Sequence, residues 1–358
     1  MSDLDFVVKS YKGTYKVRYL KSRALVDGIS NLGQRCFLLV DSRVRELWGS
    51  DLGPAFEFHP VAVIEASEKV KALEAIPAII AELSQLGVRR GDTLVAIGGG
   101  VVQDITCFIA AVMYRGLEWV YIPTTLLAQA DSCIGSKSSI NVAGIKNLVG
   151  TFTPPREVIL DTTFIKTLEP VDVHSGIGEM LKVHAIAGPE AFRSIASKVM
   201  FLASDEEILR RLVHDSLQIK RVIIEEDEFD TGLRNVLNYG HSFGHAIESA
   251  TDYRVAHGIA ITLGMAVANH VAKDLGMTSP EICDSMSSTL RWNYEGFCNV
   301  PIDPALVWVA LMRDKKNTAT SVRLILPNMQ GEIGPVDVTP SEALKSIVSH
   351  SIEELTSS

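Results

Sequence analysis

His241 and His245 lie four residues apart in LNYGHSFGHAIES (237–249), one helical turn, so their imidazoles share a face. His257 follows in VAHGIA. Upstream, SGIGEMLKVHAI (175–186) carries Glu179 in a helix that is mostly apolar or small. A carboxylate there needs a partner, because burying an unpaired charge is costly. A catalytic zinc usually takes three protein ligands and keeps one position open. The pair resembles an HExxH site in spacing only, since no glutamate follows His241 directly. Four candidates for three places leave it open whether His245 or Glu179 completes the set. Lys182, three residues after Glu179, is spaced to share its face.

A second constellation is glycine-rich. AIGGGVVQD (96–104) reads as a strand running into a turn that opens a helix. Such a turn lets a pyrophosphate approach the backbone, where helix N-terminal N–H groups and the dipole favour an anion. The motif is not GxGxxG, and a glycine triplet alone is weak. Asp41 ends an earlier strand, where an acid can bond ribose hydroxyls. PTTLLAQ (123–129) places Thr124 and Thr125 at the end of the next strand, on the same sheet edge. Together they point to a dinucleotide.

A third set is cationic. Lys137 and Asn141 stand in GSKSSIN, Lys146 and Asn147 in GIKNLVG, and Lys315 and Lys316 in RDKKN. Lys220, Arg234 and Asn238 precede the histidines. Each alone reads as an ordinary solvated side chain. Their clustering beside glycine turns points to a pocket for a small polyanion, such as a phosphorylated sugar acid.

The elements that must position these groups change character along the chain. RCFLLVDS (35–42), TLVAIGGG (93–100) and WVYIP (119–123) read as buried strands. Helices are expected at 67–92, with Ser67 as N-cap and Gly87 as stop, and at 101–114. Strands separated by helices imply a doubly wound parallel sheet, a Rossmann-like α/β domain. After about residue 165 helical periodicity dominates, at 175–187, 190–204, 205–224, 238–251, 257–275 and 340–355, and TSVRLILP (320–327) is the one clear late strand. The expected division is therefore 1–168, an α/β nucleotide domain, and 169–358, a mostly α-helical metal and substrate domain. Clefts between such domains are usual active sites.

Composition narrows the class. The chain has 358 residues, 47% hydrophobic, and a net charge of −9, which disfavours general nucleic-acid binding. Its five cysteines, Cys36, Cys107, Cys133, Cys283 and Cys298, include no CxxC pair and read as reduced thiols of a cytoplasmic protein. The N-terminus does not read as a signal peptide, and no run of 18 uncharged apolar residues reads as a membrane span.

The motifs GGGVVQD, YRG, IPTTLLAQADS, GxKxxIN, KNLVGTF, GIGEMLK and RNVLNYGHSFGHAIE…HG occur in one order over roughly residues 36–330. In this the chain resembles the 3-dehydroquinate synthases, within the wider sugar phosphate cyclases. The resemblance implies zinc, with cobalt as a substitute, bound by Glu179, His241 and His257, with His245 turned to the substrate phosphate. It implies NAD held by Asp41, Glu68, Lys71, Gly99, Gly100, Asp104, Thr124, Thr125 and Asp131. It implies that Lys137, Asn147, Asn238, His245 and one of Lys315 or Lys316 hold the phosphate, and that Lys220 and Arg234 pair with the substrate carboxylate. Lys146 and Lys182 would line the site near the nicotinamide. A homodimer is implied, with Arg115 of YRG reaching the partner's site. The implied reaction converts a seven-carbon keto sugar acid phosphate, DAHP, to 3-dehydroquinate and phosphate. It proceeds by transient oxidation with NAD, phosphate elimination, re-reduction and intramolecular aldol closure.

The chain departs from the usual synthase pattern in several places. GSKSSIN stands for GGKTGVN, VVQD for VVGD and GEMLKVH for AEVIKYG, and HGIAITLGM lacks the acid usual after the last HG. No implied ligand is lost. Related cyclases act on sedoheptulose 7-phosphate or glucose 6-phosphate, which lack a carboxylate and have no use for Lys220 and Arg234. A metal-dependent polyol dehydrogenase on the same architecture would need no phosphate pocket.

Overall fold

Short runs of Val, Ile and Leu build a seven-stranded sheet from β1 (Phe6–Ser10), β2 (Gly13–Tyr19), β3 (Cys36–Asp41), β4 (Val61–Ile64), β5 (Thr93–Gly98), β6 (Glu118–Pro123) and β9 (Glu157–Leu160). The computed structural model describes residues 2–356 other than Ser22, Gln34, Lys315 and Ala319. Lys315, one of the two candidate phosphate lysines, thus lies outside the described residues. The strand order is β1-β2-β9-β6-β5-β3-β4, parallel throughout except that β1 runs antiparallel to β2. Central strands of a parallel sheet are covered on both faces, and all six residues of β5 are buried accordingly. Between the strands lie α1 (Arg23–Ser30), α2 (Ser42–Trp48), α3 (Gly53–Phe58), α4 (Ile76–Gln85) and α5 (Gly100–Val112), while β7 (Ile140–Val142) and β8 (Ile145–Val149) form a separate hairpin. One face of the core joins Leu25, Ile29, Leu38, Val40, Val95, Ile97, Val120, Ile122, Ile159 and Phe164.

The helix expected over 67–92 is shorter. Only Ile76–Gln85 is α-helical, and 67–75 is a chain of turns. Pro77 sits in the first turn of α4, where its missing N–H costs nothing; one turn further in, its ring would break the ladder. The turns are held instead by Leu73 N–H donating to the Asn141 carbonyl at 2.8 Å and by Asn141 N–H donating to the Lys71 carbonyl at 3.0 Å. Ser67 therefore caps no helix, whereas Gly87 does follow the C-terminus of α4, at φ +94°.

The chain divides into two compact units. One holds Met1–Leu168 with Ile224–Phe229, the other Glu169–Ile223 with Asp230–Ser358. The short 224–229 segment counts with the sheet because it closes a free edge. Glu225 accepts from Lys9 N–H at 2.9 Å, and Glu228 accepts from Tyr11 N–H at 2.8 Å and from Ser10 Oγ at 2.7 Å.

The second unit contains α6 (Pro170–Ile186), α7 (Pro189–Ala196), most of α8 (Glu206–Glu226), α9 (His241–Ala250), α10 (His257–Asp274), α11 (Pro280–Tyr294), α12 (Pro304–Met312) and α13 (Glu342–Thr356). The expected helix over 190–204 ends at Ala196 and is followed by a separate 3-10 turn, Val199–Phe201. Helices α11 and α12 carry no expectation from periodicity. The late strand β10 (Val322–Pro327) is not alone but pairs antiparallel with β11 (Ile333–Val338), whose Gly334 and Pro335 disguise it in sequence. Helix α10 is the hub, buried along most of its length, and α6, α9, α11 and α13 pack on it.

Candidate metal centre and nucleotide site

Two helix crossings bring the metal candidates together. A methyl placed on Gly178 of α6 would lie 2.1 Å from the Gly258 carbonyl of α10, and one on Gly258 would lie 1.8 Å from the Ser175 carbonyl. The two backbones are therefore in direct contact, which sets Glu179 against His257, the first residue of α10. Gly240, at φ +75°, starts α9 with His241 and abuts α10 at Ile261 and Met265.

Glu179 is 2% exposed, so its carboxylate depends on the nitrogens around it. Its oxygens have separate duties. Oε2 lies 2.5 Å from the Lys182 ammonium, whereas Oε1 faces Nε2 of His241 at 3.6 Å and Nε2 of His257 at 3.4 Å. Ligands of a tetrahedral zinc with bonds of about 2.0–2.1 Å sit about 3.3–3.4 Å apart, so these separations are close to two edges of such a site. The tautomers agree. His241 Nδ1 lies 3.2 Å from the Tyr239 carbonyl, which can only accept, so Nδ1 carries the proton and Nε2 is left as ligand. His257 Nδ1 lies 3.3 Å from both oxygens of Glu248.

His245 belongs to the same group in space. One ligand nitrogen from each of His241, His245 and His257 falls within 4.8 Å of the others. It is nonetheless the exposed member. Although its side chain reaches the surface, the water excluded by its neighbours, then the charge of His257, push its pKa down to about 4. Burial followed by Lys182 holds His241 well below its usual value. Burial opposes charge on Glu179 too, but Lys182 and the two imidazoles outweigh it and keep the carboxyl well below the usual range. At His257 burial is again outweighed, by Glu179 and Glu248, and the ring is lifted to about 10. In the metal-free chain the raised His257 ring thus supplies positive charge at Oε1, a place that a divalent cation among these donors would take.

The second-unit cations fall into two groups. Lys316 donates to Asn238 Oδ1 at 3.1 Å, and its charge is felt by His245, so these three stand together. Lys220 on α8 and Arg234 in the 3-10 turn Leu233–Asn238 are 5% and 8% exposed, unusually buried for such side chains. That turn packs on α6 and β11.

The nucleotide candidates assemble in the first unit. Gly99 is the N-cap of α5, and a methyl on it would meet Thr125 Cγ2 at 3.0 Å, whereas one on Gly100 would meet nothing within 4 Å. The helix start is open to an approaching group. Thr124 follows β6 and donates its backbone N–H to the Gly98 carbonyl at 3.0 Å. Thr125 Oγ1 accepts from Ala128 N–H at 3.2 Å. Asp41 ends β3 and caps α2 through Arg43 N–H at 2.9 Å; burial raises its carboxyl. Lys71 pairs with Asp104 at 2.7 Å, Asp104 also accepts from Ser139 N–H at 3.0 Å, and Glu68 accepts from Asn141 at 2.8 Å. Asp131 lies in a π-helical turn, Ala128–Ser132, a kind of irregularity frequent at functional sites. Lys137 lies 6.0 Å over the Phe152 ring, while Lys146 and Asn147 (φ +53°) are exposed on β8. Arg115 is also left-handed, at φ 66°, beside Tyr114 at 54°.

Two contributors escaped the sequence reading. Glu248, within the quoted histidine motif, is one. Gln103, where the family pattern has glycine, is the other. Its amide donates to the Ser132 carbonyl at 2.6 Å and accepts from Ser132 Oγ at 2.6 Å, fastening the turn that carries Asp131 to α5. Among the described residues no helix is long and apolar enough to cross a membrane.

Fold and site together define a two-unit chain with a parallel α/β sheet in one unit and a helical cluster of a carboxylate and histidines in the other. Residues 61–175 match the 3-dehydroquinate synthase N-terminal model, and 176–317 the C-terminal one. A 3-dehydroquinate synthase of Dictyoglomus turgidum is 34% identical over 351 residues, covering 97% of each chain. The chain belongs to the 3-dehydroquinate synthase family. Two solved structures share the fold. A 2-deoxy-scyllo-inosose synthase complexed with carbaglucose-6-phosphate, NAD+ and Co2+ has a TM-score of 0.83 at 22% identity, over 97% of this chain and 99% of that one. A 2-epi-5-epi-valiolone synthase of Streptomyces hygroscopicus with NAD+ and Zn2+ bound also reaches 0.83, at 23% identity, over 96% and 97%.

Proposed function

We propose that the protein is a 3-dehydroquinate synthase, converting DAHP to 3-dehydroquinate and phosphate with NAD and zinc, cobalt serving in its place. The observation that carries this reading is the buried Glu179, one oxygen held by Lys182 and the other facing two imidazole nitrogens, in a chain of this family. Residues 1–168 bind the nucleotide, and 169–358 bind metal and substrate. Glu179, His241 and His257 hold the zinc. When bound, zinc would supply a Lewis acid that polarises the hydroxyl oxygen on the carbon being oxidised, and NAD a reversible hydride acceptor.

The chain's own side chains do the rest. Lys182 occupies Oε2 so that Oε1 alone is offered as ligand. In the second unit His245, neutral above about pH 4, joins Asn238 and Lys316 as phosphate residues; Lys137 and Asn147 are the first unit's candidates for that role. Lys220 and Arg234, two buried cations of the second unit, receive the carboxylate. Lys146 lines the site. Asp41, Glu68, Lys71, Gly99, Gly100, Asp104, Thr124, Thr125 and Asp131 form the NAD site, supported by the open start of α5 and the ties among Glu68, Lys71, Asp104 and Asn141. The working form is a cytoplasmic homodimer in which Arg115 completes the partner's phosphate site; its left-handed backbone is strain of the kind kept at functional positions.

The test is phosphate release by purified protein with zinc and catalytic NAD, from DAHP, sedoheptulose 7-phosphate and glucose 6-phosphate side by side. Release from DAHP with dehydroquinate formed is expected. Release only from a neutral sugar phosphate would move the chain to another cyclase branch and remove the carboxylate role of Lys220 and Arg234. Stoichiometric NADH without phosphate would make it a polyol dehydrogenase.

A further inference from the structure

His257 is held at both ends by carboxylates, Nε2 at 3.4 Å from Glu179 Oε1 and Nδ1 at 3.3 Å from both oxygens of Glu248. The two anchors differ in kind. Glu179 faces the pocket that the other ligand candidates share, whereas Glu248 sits on α9, seven residues after His241, and meets the other ring nitrogen. We infer that Glu248 is the positioning residue for His257, fixing the Nδ1–H tautomer and ring orientation so that Nε2 alone is presented to the metal. The inference rests on Glu179, His241 and His257 being the ligands.

Three observations carry it. First, His241 finds its Nδ1 acceptor in a backbone carbonyl two residues away, whereas His257 opens α10 and has a carboxylate from another helix instead. An imidazole at a helix N-terminus loses basicity to the dipole, and a carboxylate on its far nitrogen restores it. Second, His257 is the most exposed of the two implied histidine ligands, 38% against 13% for His241, so packing alone does not fix its ring. Third, the connection from α9 to α10, which lies between the two residues in contact, is sharply bent. Asp252 and Tyr253 are both left-handed, at φ 51° and 59°, and Tyr253 N–H folds back onto the Glu248 carbonyl at 2.8 Å. Consecutive left-handed non-glycine residues are costly and persist where the surrounding structure holds them.

The experiment measures zinc and cobalt affinity by chelator competition for the native protein, Glu248→Gln, Glu248→Ala, His257→Ala and the double variant Glu248→Gln with His257→Ala. Loss of an outer partner of this kind typically weakens metal binding by about 10–100-fold. Glu248→Gln keeps the shape and is read if the alanine variant fails to fold. The expected result is that 10–100-fold loss in Glu248→Gln, with no further loss when it is added to His257→Ala. Histidine nitrogen NMR of the zinc form should show the His257 Nδ1–H in the native protein and its exchange broadening or loss in Glu248→Gln. Native affinity in Glu248→Gln while His257→Ala loses metal would overturn the role of Glu248 alone. Equal further loss in the His257→Ala background would do the same, since it marks a merely structural residue. Native metal affinity in His257→Ala would overturn the ligand set itself, and the inference with it.

Discussion

Replacing Gly178 by alanine tests whether backbone contact sets the metal site. The added methyl would lie 2.1 Å from the Gly258 carbonyl and 2.6 Å from Thr262 Oγ1; ordinary contact begins near 3.4 Å, so it is about 1.3 Å too deep. Its main opponent is a carbonyl within α10, which no rotamer change can move aside. If α6 and α10 part by that amount, Glu179 Oε1 and His257 Nε2 go from 3.4 Å to about 4.7 Å. Two bonds of about 2.1 Å span at most about 4.2 Å, so one ligand is lost. Metal affinity should fall by at least about 100-fold. Overpacking costs about 1–3 kcal/mol, here near the upper end, and helix propensity returns about 1 for alanine over glycine. A net loss of about 2 kcal/mol lowers Tm by about 4–8 °C for a unit of this size. The assay is metal content after dialysis against a weak chelator, with thermal melts in the presence of a strong one. Native metal retention together with an unchanged or raised Tm would refute the contact argument.

Metal uptake should depend on pH through His257, whose metal-free value is lifted to about 10, so between about pH 6 and 9 a metal displaces roughly one proton and apparent affinity rises about tenfold per pH unit, flattening above 10. Chelator competition across that range checks this, and a flat profile would exclude it; His245, down at about 4, contributes no proton there. The metal-free protein should respond in the opposite direction: the raised His257 stabilises it in full below about pH 6.5, and this is lost as pH climbs toward 10, as melts with chelator should show. His245→Ala should keep one metal per chain while KM rises; loss of zinc in that variant would put His245 in the ligand set. Lys220→Met and Arg234→Gln, chosen because both sites are buried, should each cost about 2–5 kcal/mol in kcat/KM for the carboxylated substrate, and unchanged kinetics would remove their role.

Much of this was legible where chemistry and periodicity coincide. The strand into GGG, the helix after it and the buried strands around it could be read because apolar runs end in glycine or polar residues. Glu179 announced itself as a charge in an apolar helix. Glu248 did not, because its role depends on the turn through Asp252 and Tyr253, which no local pattern signals. The helix expected from Ser67 failed because Pro77 and ties to Asn141, far along the chain, outweighed a periodic pattern. Strand β1 is an edge element paired with β2 in a tight hairpin, β9 has four residues and pairs with strands far along the chain, and β11 carries a proline. The tautomers of His241 and His257 depend on three-dimensional acceptors and could not be read at all.

The closure of the sheet edge by Glu225 and Glu228 bears on how the protein can be cut. A boundary at residue 168 looks natural in the sequence, yet a fragment ending there would lack both carboxylates. The N–H groups of Lys9 and Tyr11 would then face water in a strand that also exposes Val7. An unpaired edge is a template for another chain, so such a fragment should self-associate through β1, and a version of the first unit that stays monomeric would have to carry 224–229 grafted back onto it.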